Sequence, residues 1–342
     1  MRIGLMTGGG DAPGLNGIIE AVTKSAVADG HSVIGICDGF EGVFEGRTRE
    51  LTLDDVEGLH AMAGTWLGTS NKCGTEGREQ EFLEKYQALK LDGLIAAGGD
   101  GTFRGLDAFK SSIPIIGVPK TIDNDLPGTE VTFGYDTACS VVAEAVDALR
   151  ATANAHRRII FVETMGRTAG WIALGGGMAS FSEVVLIPER PFSYGKLATH
   201  ITGYLQRGRR GLVCVVSEGA HAEGESVHIA HRVAGSPEPE RLGGIAESLA
   251  RWVEKETGYE GRHVVLGHLQ RSHAPTTTDR FLTLAMGVEV AAMIEERAWG
   301  KAVVYRQGRV MRAPISDVIG PPRLIDPEHL WVKRYLKTGG FI

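Results

Sequence analysis

The chain has 342 residues, more than the roughly 100 to 200 that one domain usually holds, and its 43% hydrophobic and 23% charged composition is that of an ordinary soluble globular protein with about two domains. With 42 acidic residues against 36 Lys and Arg, a net charge of -6 and a pI near 6.0 exclude a global electrostatic drive toward nucleic acid. No stretch approaches the ~20 apolar residues that span a bilayer, and Cys37, Cys73, Cys139 and Cys214 form no CxxC pair, which argues against a zinc site or a disulfide framework and suits a reducing cytoplasm.

The first apolar run, Ile3 to Thr7, moves straight into glycines and reads as a strand rather than a signal peptide. Apolar residues at spacings of three and four then predict a helix over Asn16 to Ala28, followed by a strand over Ser32 to Cys37 and a helix over Glu79 to Leu89. Strands follow at Leu94 to Ala97 and Ile113 to Val118, a helix at Thr137 to Ala153, and strands at Ile159 to Glu163, Val184 to Ile187 and Leu212 to Ser217. Gly235 to Glu240 reads as an exposed loop. A helix over Ile245 to Glu256, a strand over Val264 to Leu266 and a helix over Thr278 to Arg297 complete the pattern. Strands alternating with helices indicate βαβ units around mostly parallel sheets.

Glycine and polar clusters fall repeatedly just after strands: Gly8 to Asp11, Gly98 to Thr102, Pro119 to Asp125, Met165 to Arg167, Glu218-Gly219 and Gly267 to Arg271. In open parallel sheets a ligand lies beyond the carboxyl ends of the strands, so these clusters mark site rims. The 47 glycines, about 14% of 342, are roughly twice the usual share and permit close backbone approach to an anion, although they serve equally as strand-to-helix turns. Neither the GxGxxG fingerprint nor the P-loop fits, because Gly8 and Gly10 are followed by Pro13, and Gly9 and Gly14 by Leu15-Asn16.

Asp100, flanked by Gly99 and Gly101, suits either Mg²⁺ held against phosphate oxygens or a helix cap. In Thr121-Ile122-Asp123-Asn124-Asp125, residues two apart point the same way, so both carboxylates share a side; the pair serves proton transfer and metal placement, or is a solvated turn. Arg157-Arg158, Arg167, Arg262 and Arg271 are spread around the same strands, and guanidinium forks match phosphate oxygens. His268 has no companion at metal-ligand spacing and reads as a hydrogen-bonding group.

Taken in order, the strings Thr7 to Asn16, Gly98 to Thr102, Pro119 to Asp125, Met165 to Arg167 and Leu266 to Arg271 resemble the 6-phosphofructokinase family over nearly the whole chain. The resemblance implies two similar three-layer α/β/α domains with mainly parallel sheets and the active site in the cleft between them. A larger, donor-binding domain would comprise residues 1–134 plus about 270–305, and a smaller, sugar-phosphate-binding domain about 135–269 plus 306–342.

The implied activity is phosphoryl transfer from ATP to the 1-hydroxyl of fructose 6-phosphate, a cytoplasmic step of glycolysis, in a homodimer or homotetramer with Mg²⁺. Carried over by position, Asp123 would be the general base with Asp125 beside it, Asp100 the magnesium ligand, and Arg167 a catalytic and sugar-binding cation. The donor would meet Gly9, Gly99, Asp100, Gly101, Thr102 and Lys120. Thr121, Asp123, Met165, Gly166, Arg167, Glu218, His268 and Arg271 would hold the sugar phosphate, with Arg158 and Arg262 reaching it from a neighbouring subunit.

Departures from the family pattern are specific. Asn71-Lys72 stand where the family typically places an arginine against the transferring group, which assigns Asn71 to the donor and Lys72 as the substitute cation. Ser272-His273 replace two glycines near the sugar pocket, raising the alternative of another phosphorylated sugar, and Asn71 raises that of a sugar-phosphate-binding regulatory protein. Glu20 and Lys24 occupy positions of two effector-binding arginines, so the resemblance does not extend to that effector. Pyrophosphate users of the family typically carry Asp and Lys where this chain has Gly101 and Lys120. Gly101 leaves room for the inner phosphate of a nucleotide, which favours ATP over pyrophosphate.

Overall fold

The structure, a computed structural model, describes residues 1–70, 73–232 and 240–342. Its strands are β1 (Arg2–Thr7), β2 (Ser32–Ile36), β3 (Thr48–Leu51), β4 (Gly93–Gly98), β5 (Ile115–Pro119), β6 (Ile159–Thr164), β7 (Val184–Leu186), β8 (Leu212–Ser217), β9 (Ile229–Arg232), β10 (Glu240–Leu242), β11 (Gly261–Val265), β12 (Lys301–Arg306) and β13 (Arg309–Pro314). Two compact units form, residues 1–137 with 271–321 and residues 138–270 with 322–342. Gly235 to Pro239, read from sequence as a loop, lie outside the described residues.

In the first unit a seven-stranded sheet runs β13-β12-β5-β4-β1-β2-β3, parallel except for β3 and β13 at its two edges. Alternation along each strand splits the core between two faces. Ile3 and Leu5 of β1, Ile95 of β4 and Ile116 of β5 pack toward the helices Leu15–Ala28 and Thr277–Glu295. Met6, Leu94 and Ile115 pack on the other face with Phe82 and Phe103, from the helices Glu79–Ala88 and Asp100–Asp107. Each such aliphatic side chain contributes roughly 1.5–3 kcal/mol on full burial.

The second unit is built on a parallel four-stranded sheet, β11-β6-β8-β7. Ile159, Phe161, Cys214 and Val216 face the helices Tyr194–Gln206 and Ile245–Thr257. On the opposite face Gly177, in the helix Trp171–Ala179, admits Val185 and Val215, since a Cβ there would lie 2.4 Å from Val185 Cγ2. A separate two-stranded ribbon pairs β9 with β10.

The boundary expected near residue 305 falls at 321 instead. β12 and β13 form an antiparallel hairpin from Lys301 to Pro314, and β12 adds to β5, so residues 306–321 belong to the first unit rather than the second. Among the described residues no helix is long and apolar enough to cross a membrane.

Candidate active site

β5, β4 and β1 are consecutive neighbours in register, Thr7 beside Ala97 and Gly98 beside Pro119, so the loops that follow them emerge side by side at the carboxyl end of the sheet. Gly8 N–H still donates to Ala97 O at 2.9 Å, and Lys120 N–H to Gly98 O at 2.9 Å. Thr102 fills the space between the first two loops: a Cβ on Gly8 would lie 2.6 Å from its Oγ1, and one on Gly98 only 2.4 Å. These two glycines are required by packing, which the spacing of the motifs did not reveal.

Two cations meet at the turn after β1. The Lys120 amine donates to Gly10 O and lies 3.5 Å from where a Cβ on Gly9, at φ +76°, would stand. Arg271 Nη1 donates to Asp11 O at 2.5 Å. Lys120 is only 3% exposed. Burial, reinforced by the like charge of Arg271 and opposed by Asp11, Asp123 and Asp125, brings its amine down to about 7. Asp11 belongs to this charge cluster and was not singled out by sequence; its distant partners, Lys120 and Arg271, are what reveal it.

Along Thr121 to Leu126 burial alternates: Ile122, Asn124 and Leu126 are buried, while Thr121, Asp123 and Asp125 are half-buried. The two carboxylates therefore share the more exposed side, as the spacing predicts. Asn124 anchors the loop at φ +52°, its Oδ1 accepting from Thr132 N–H at 3.0 Å and Thr132 Oγ1 at 3.3 Å. Asp123 N–H donates to Thr121 Oγ1 at 3.1 Å.

Asp100 opens the helix Asp100–Asp107 and pairs with Arg104 one turn on. Its Oδ1 is buried without a hydrogen-bond partner, and a Cβ on Gly101 would meet nothing within 4 Å. A buried carboxylate oxygen without a hydrogen-bond partner fits a hard divalent cation. Among the described residues no three His, Cys, Asp or Glu side chains gather as a metal site. Asn71 and Lys72 lie outside the described residues, but Thr69 just before them donates through Oγ1 to Gly9 O at 2.6 Å.

In the second unit β6 lies between β11 and β8, bringing together the loops that carry Met165, Gly166 and Arg167, Glu218, and His268. The first two loops interlock. Ser217 Oγ donates to Gly166 O at 2.5 Å, Gly166 has φ +123°, and a Cβ on Gly219 would stand 2.1 Å from Arg167 O. Arg167 Nη1 donates to Glu240 O at 2.7 Å.

Arg158 and Arg262 are not part of that group. They lie at the amino ends of β6 and β11, and the six residues of β6 separate Arg158 from Met165 by roughly 20 Å. Glu260 holds both: it accepts from Arg158 Nε at 2.7 Å and Nη2 at 3.2 Å, and it pairs with Arg262. Glu20 and Lys24 are likewise engaged. Glu20, 5% exposed, accepts from Lys24 Nζ at 2.7 Å, and from His60 N and Nδ1 at 2.8 Å each. Burial pushes its carboxyl up, and the bonds from Lys24 and His60 together outweigh this and bring it down to about 2.

A family model described as phosphofructokinase matches residues 2–294. An ATP-dependent 6-phosphofructokinase of Chloroflexus aurantiacus is 42% identical over 339 residues, covering 95% of this chain and 93% of that protein. One from Mycobacterium tuberculosis is 41% identical over 332 residues, covering 95% and 96%. Among solved structures, Pichia pastoris phosphofructokinase superposes with a TM-score of 0.82 at 29% identity, over 93% of this chain and 35% of that one. The present chain thus spans about a third of the yeast subunit. A pyrophosphate-dependent phosphofructokinase from Marinobacter aquaeolei shares the fold at a TM-score of 0.83 and 21% identity, over 100% and 92% of the two chains.

Proposed function

Because the chain belongs to the phosphofructokinase family, we propose that it transfers the γ-phosphoryl group of ATP to the 1-hydroxyl of fructose 6-phosphate, in glycolysis, releasing ADP and fructose 1,6-bisphosphate. The observation that carries this reading is the loop Thr121 to Asp125, whose two carboxylates share one side next to the paired cations Lys120 and Arg271. Asp123 takes the hydroxyl proton as the sugar oxygen attacks phosphorus, and Asp125 keeps the local field negative so that the base stays willing to accept it.

On the donor side, the backbone of Gly9 and Gly99, the open flank at Gly101 and the Thr102 packing that spaces the loops form the phosphate cradle, with Lys120 supplying charge. Asn71 and Lys72 complete it, Lys72 serving as the point charge in place of an arginine. Asp100 would hold Mg²⁺, which when bound neutralises the charge of the donor phosphates. Thr121, Arg271, Met165, Gly166, Arg167, Glu218 and His268 hold the sugar phosphate, and Arg167 stabilises the charge that develops on transfer. Residues 1–137 with 271–321 carry the donor-binding residues together with Thr121 and Arg271, and the other unit carries the remaining residues that hold the sugar phosphate.

Arg158 and Arg262 act on the sugar phosphate of a neighbouring copy, in a homodimer or homotetramer, which accounts for their distance from Arg167 along β6. A reducing cytoplasm suits the four free cysteines. The test is a coupled assay of the purified protein with fructose 6-phosphate, offering MgATP and Mg-pyrophosphate in parallel. A higher kcat/KM with MgATP is expected; preference for pyrophosphate overturns the donor, and turnover only on another sugar phosphate overturns the acceptor.

A further inference from the structure

Glu163 ends the apolar run of β6 and is 3% exposed, a costly place for a carboxylate. Its partners are backbone amides. Gly244 N–H lies 3.2 Å from Oε1 and 3.1 Å from Oε2, and Ala246 N–H lies 3.0 Å from Oε2. These amides begin the helix Ile245–Thr257, whose N-cap Gly244 supplies no side-chain bond, so a residue of the sheet caps the helix from outside it.

The clamp reaches further than the helix. Gly243 and Gly244, at φ +141° and +90°, form the turn by which β10 enters that helix, and a Cβ on Gly243 would stand 3.1 Å from Glu163 Oε1. β10 belongs to a ribbon of two strands, an element that is marginal without an external anchor. The carbonyl of Glu240, in that ribbon, is the one to which Arg167 donates. Arg167 itself lies only four residues beyond Glu163. One carboxylate thus fixes both the strand end from which Arg167 departs and the ribbon that holds its guanidinium.

We propose that Glu163 is the positioning residue of Arg167, setting its guanidinium for the sugar phosphate by pinning the Gly243-Gly244 turn. This rests on the role given to Arg167 above. The inference predicts coupling between two residues that a helix-capping role alone would leave independent.

The test is a double-mutant cycle in the full chain, read by steady-state kinetics with fructose 6-phosphate and MgATP. Glu163→Gln keeps the shape but turns an NH₂ group toward the Gly244 amide. It should lower kcat/KM for fructose 6-phosphate roughly tenfold while changing KM for MgATP less than about twofold. In an Arg167→Ala background the same change should cost less than about twofold. Should Glu163→Gln lose cooperative unfolding, Gly243→Ala, which displaces the turn and leaves Glu163 in place, enters the same cycle with the same expectation. Equal losses in both backgrounds, a matched rise in KM for both substrates, or unaltered kinetics overturn the proposal. Absence of turnover in the unmodified enzyme overturns the reaction assigned above, and this proposal with it.

Discussion

Lys120 and Arg271, 151 positions apart in the chain, donate to consecutive carbonyls, those of Gly10 and Asp11. Arg271, together with the protonated fraction of Lys120, creates a positive field at one glycine turn, where phosphate oxygens would lie. The neighbouring loop is open at Gly101. Gly101→Asp should fold normally and place a carboxylate in that field, cutting kcat/KM for MgATP by roughly tenfold or more, which is about 1.4 kcal/mol or above. Kinetics of both donors, with the melting temperature as control, check this; unaltered ATP use would remove Gly101 from the donor site.

Asp123→Asn preserves shape and removes the base. kcat should fall by roughly 10² to 10⁴ while fructose 6-phosphate binding changes little. Rapid-quench measurement of the chemical step together with calorimetric sugar binding separates the two effects, and a near-normal kcat would assign proton transfer elsewhere.

Glu20 makes a pH-dependent contribution to stability. Its folded value of about 2 lies below the ordinary 4.5, so the stabilisation is present above about pH 4.5 and is lost as the pH falls toward 2. At roughly 1.4 kcal/mol per unit this amounts to on the order of 3 kcal/mol at neutral pH. Glu20→Gln should lower the urea midpoint clearly at pH 7, with the gap between variant and parent closing below pH 4.5. A gap independent of pH would show that shape rather than charge matters at this position.

Arg262→Ala tests the intersubunit role. The change removes one of the two arginines held by Glu260, leaving Arg158 paired, and should raise KM for fructose 6-phosphate tenfold or more, with specific activity falling as the enzyme is diluted to monomer. Light scattering alongside the assay decides it, since a fully active monomer contradicts the arrangement.

Much of the fold was legible because parallel strands buried on both faces are continuous apolar runs, as in Ile3 to Thr7 and Leu212 to Ser217. The hairpin of β12 and β13 was not. Its edge strand carries Arg309 and Arg312, and residues 306–321 were read as part of the other unit. At the site, the shared side of Asp123 and Asp125 followed from spacing alone. The lowered amine of Lys120 did not, because burial in the fold and the like charge of Arg271 from a distant segment combine to produce it, and the capture of Arg158 and Arg262 by Glu260 depends on the register of β11 against β6.

The chain leaves the first unit at residue 137 and returns to it at 271. On the ribosome, β5 therefore emerges with one side unpaired and waits for β12 until the whole intervening stretch has been synthesised. At about 5 to 20 residues per second that delay is on the order of ten to forty seconds, during which an apolar strand keeps an exposed backbone edge. Ribosome-bound chains of this length are where a chaperone that recognises extended apolar segments should be found, and a circular permutant that joins β5 directly to β12 should need it least.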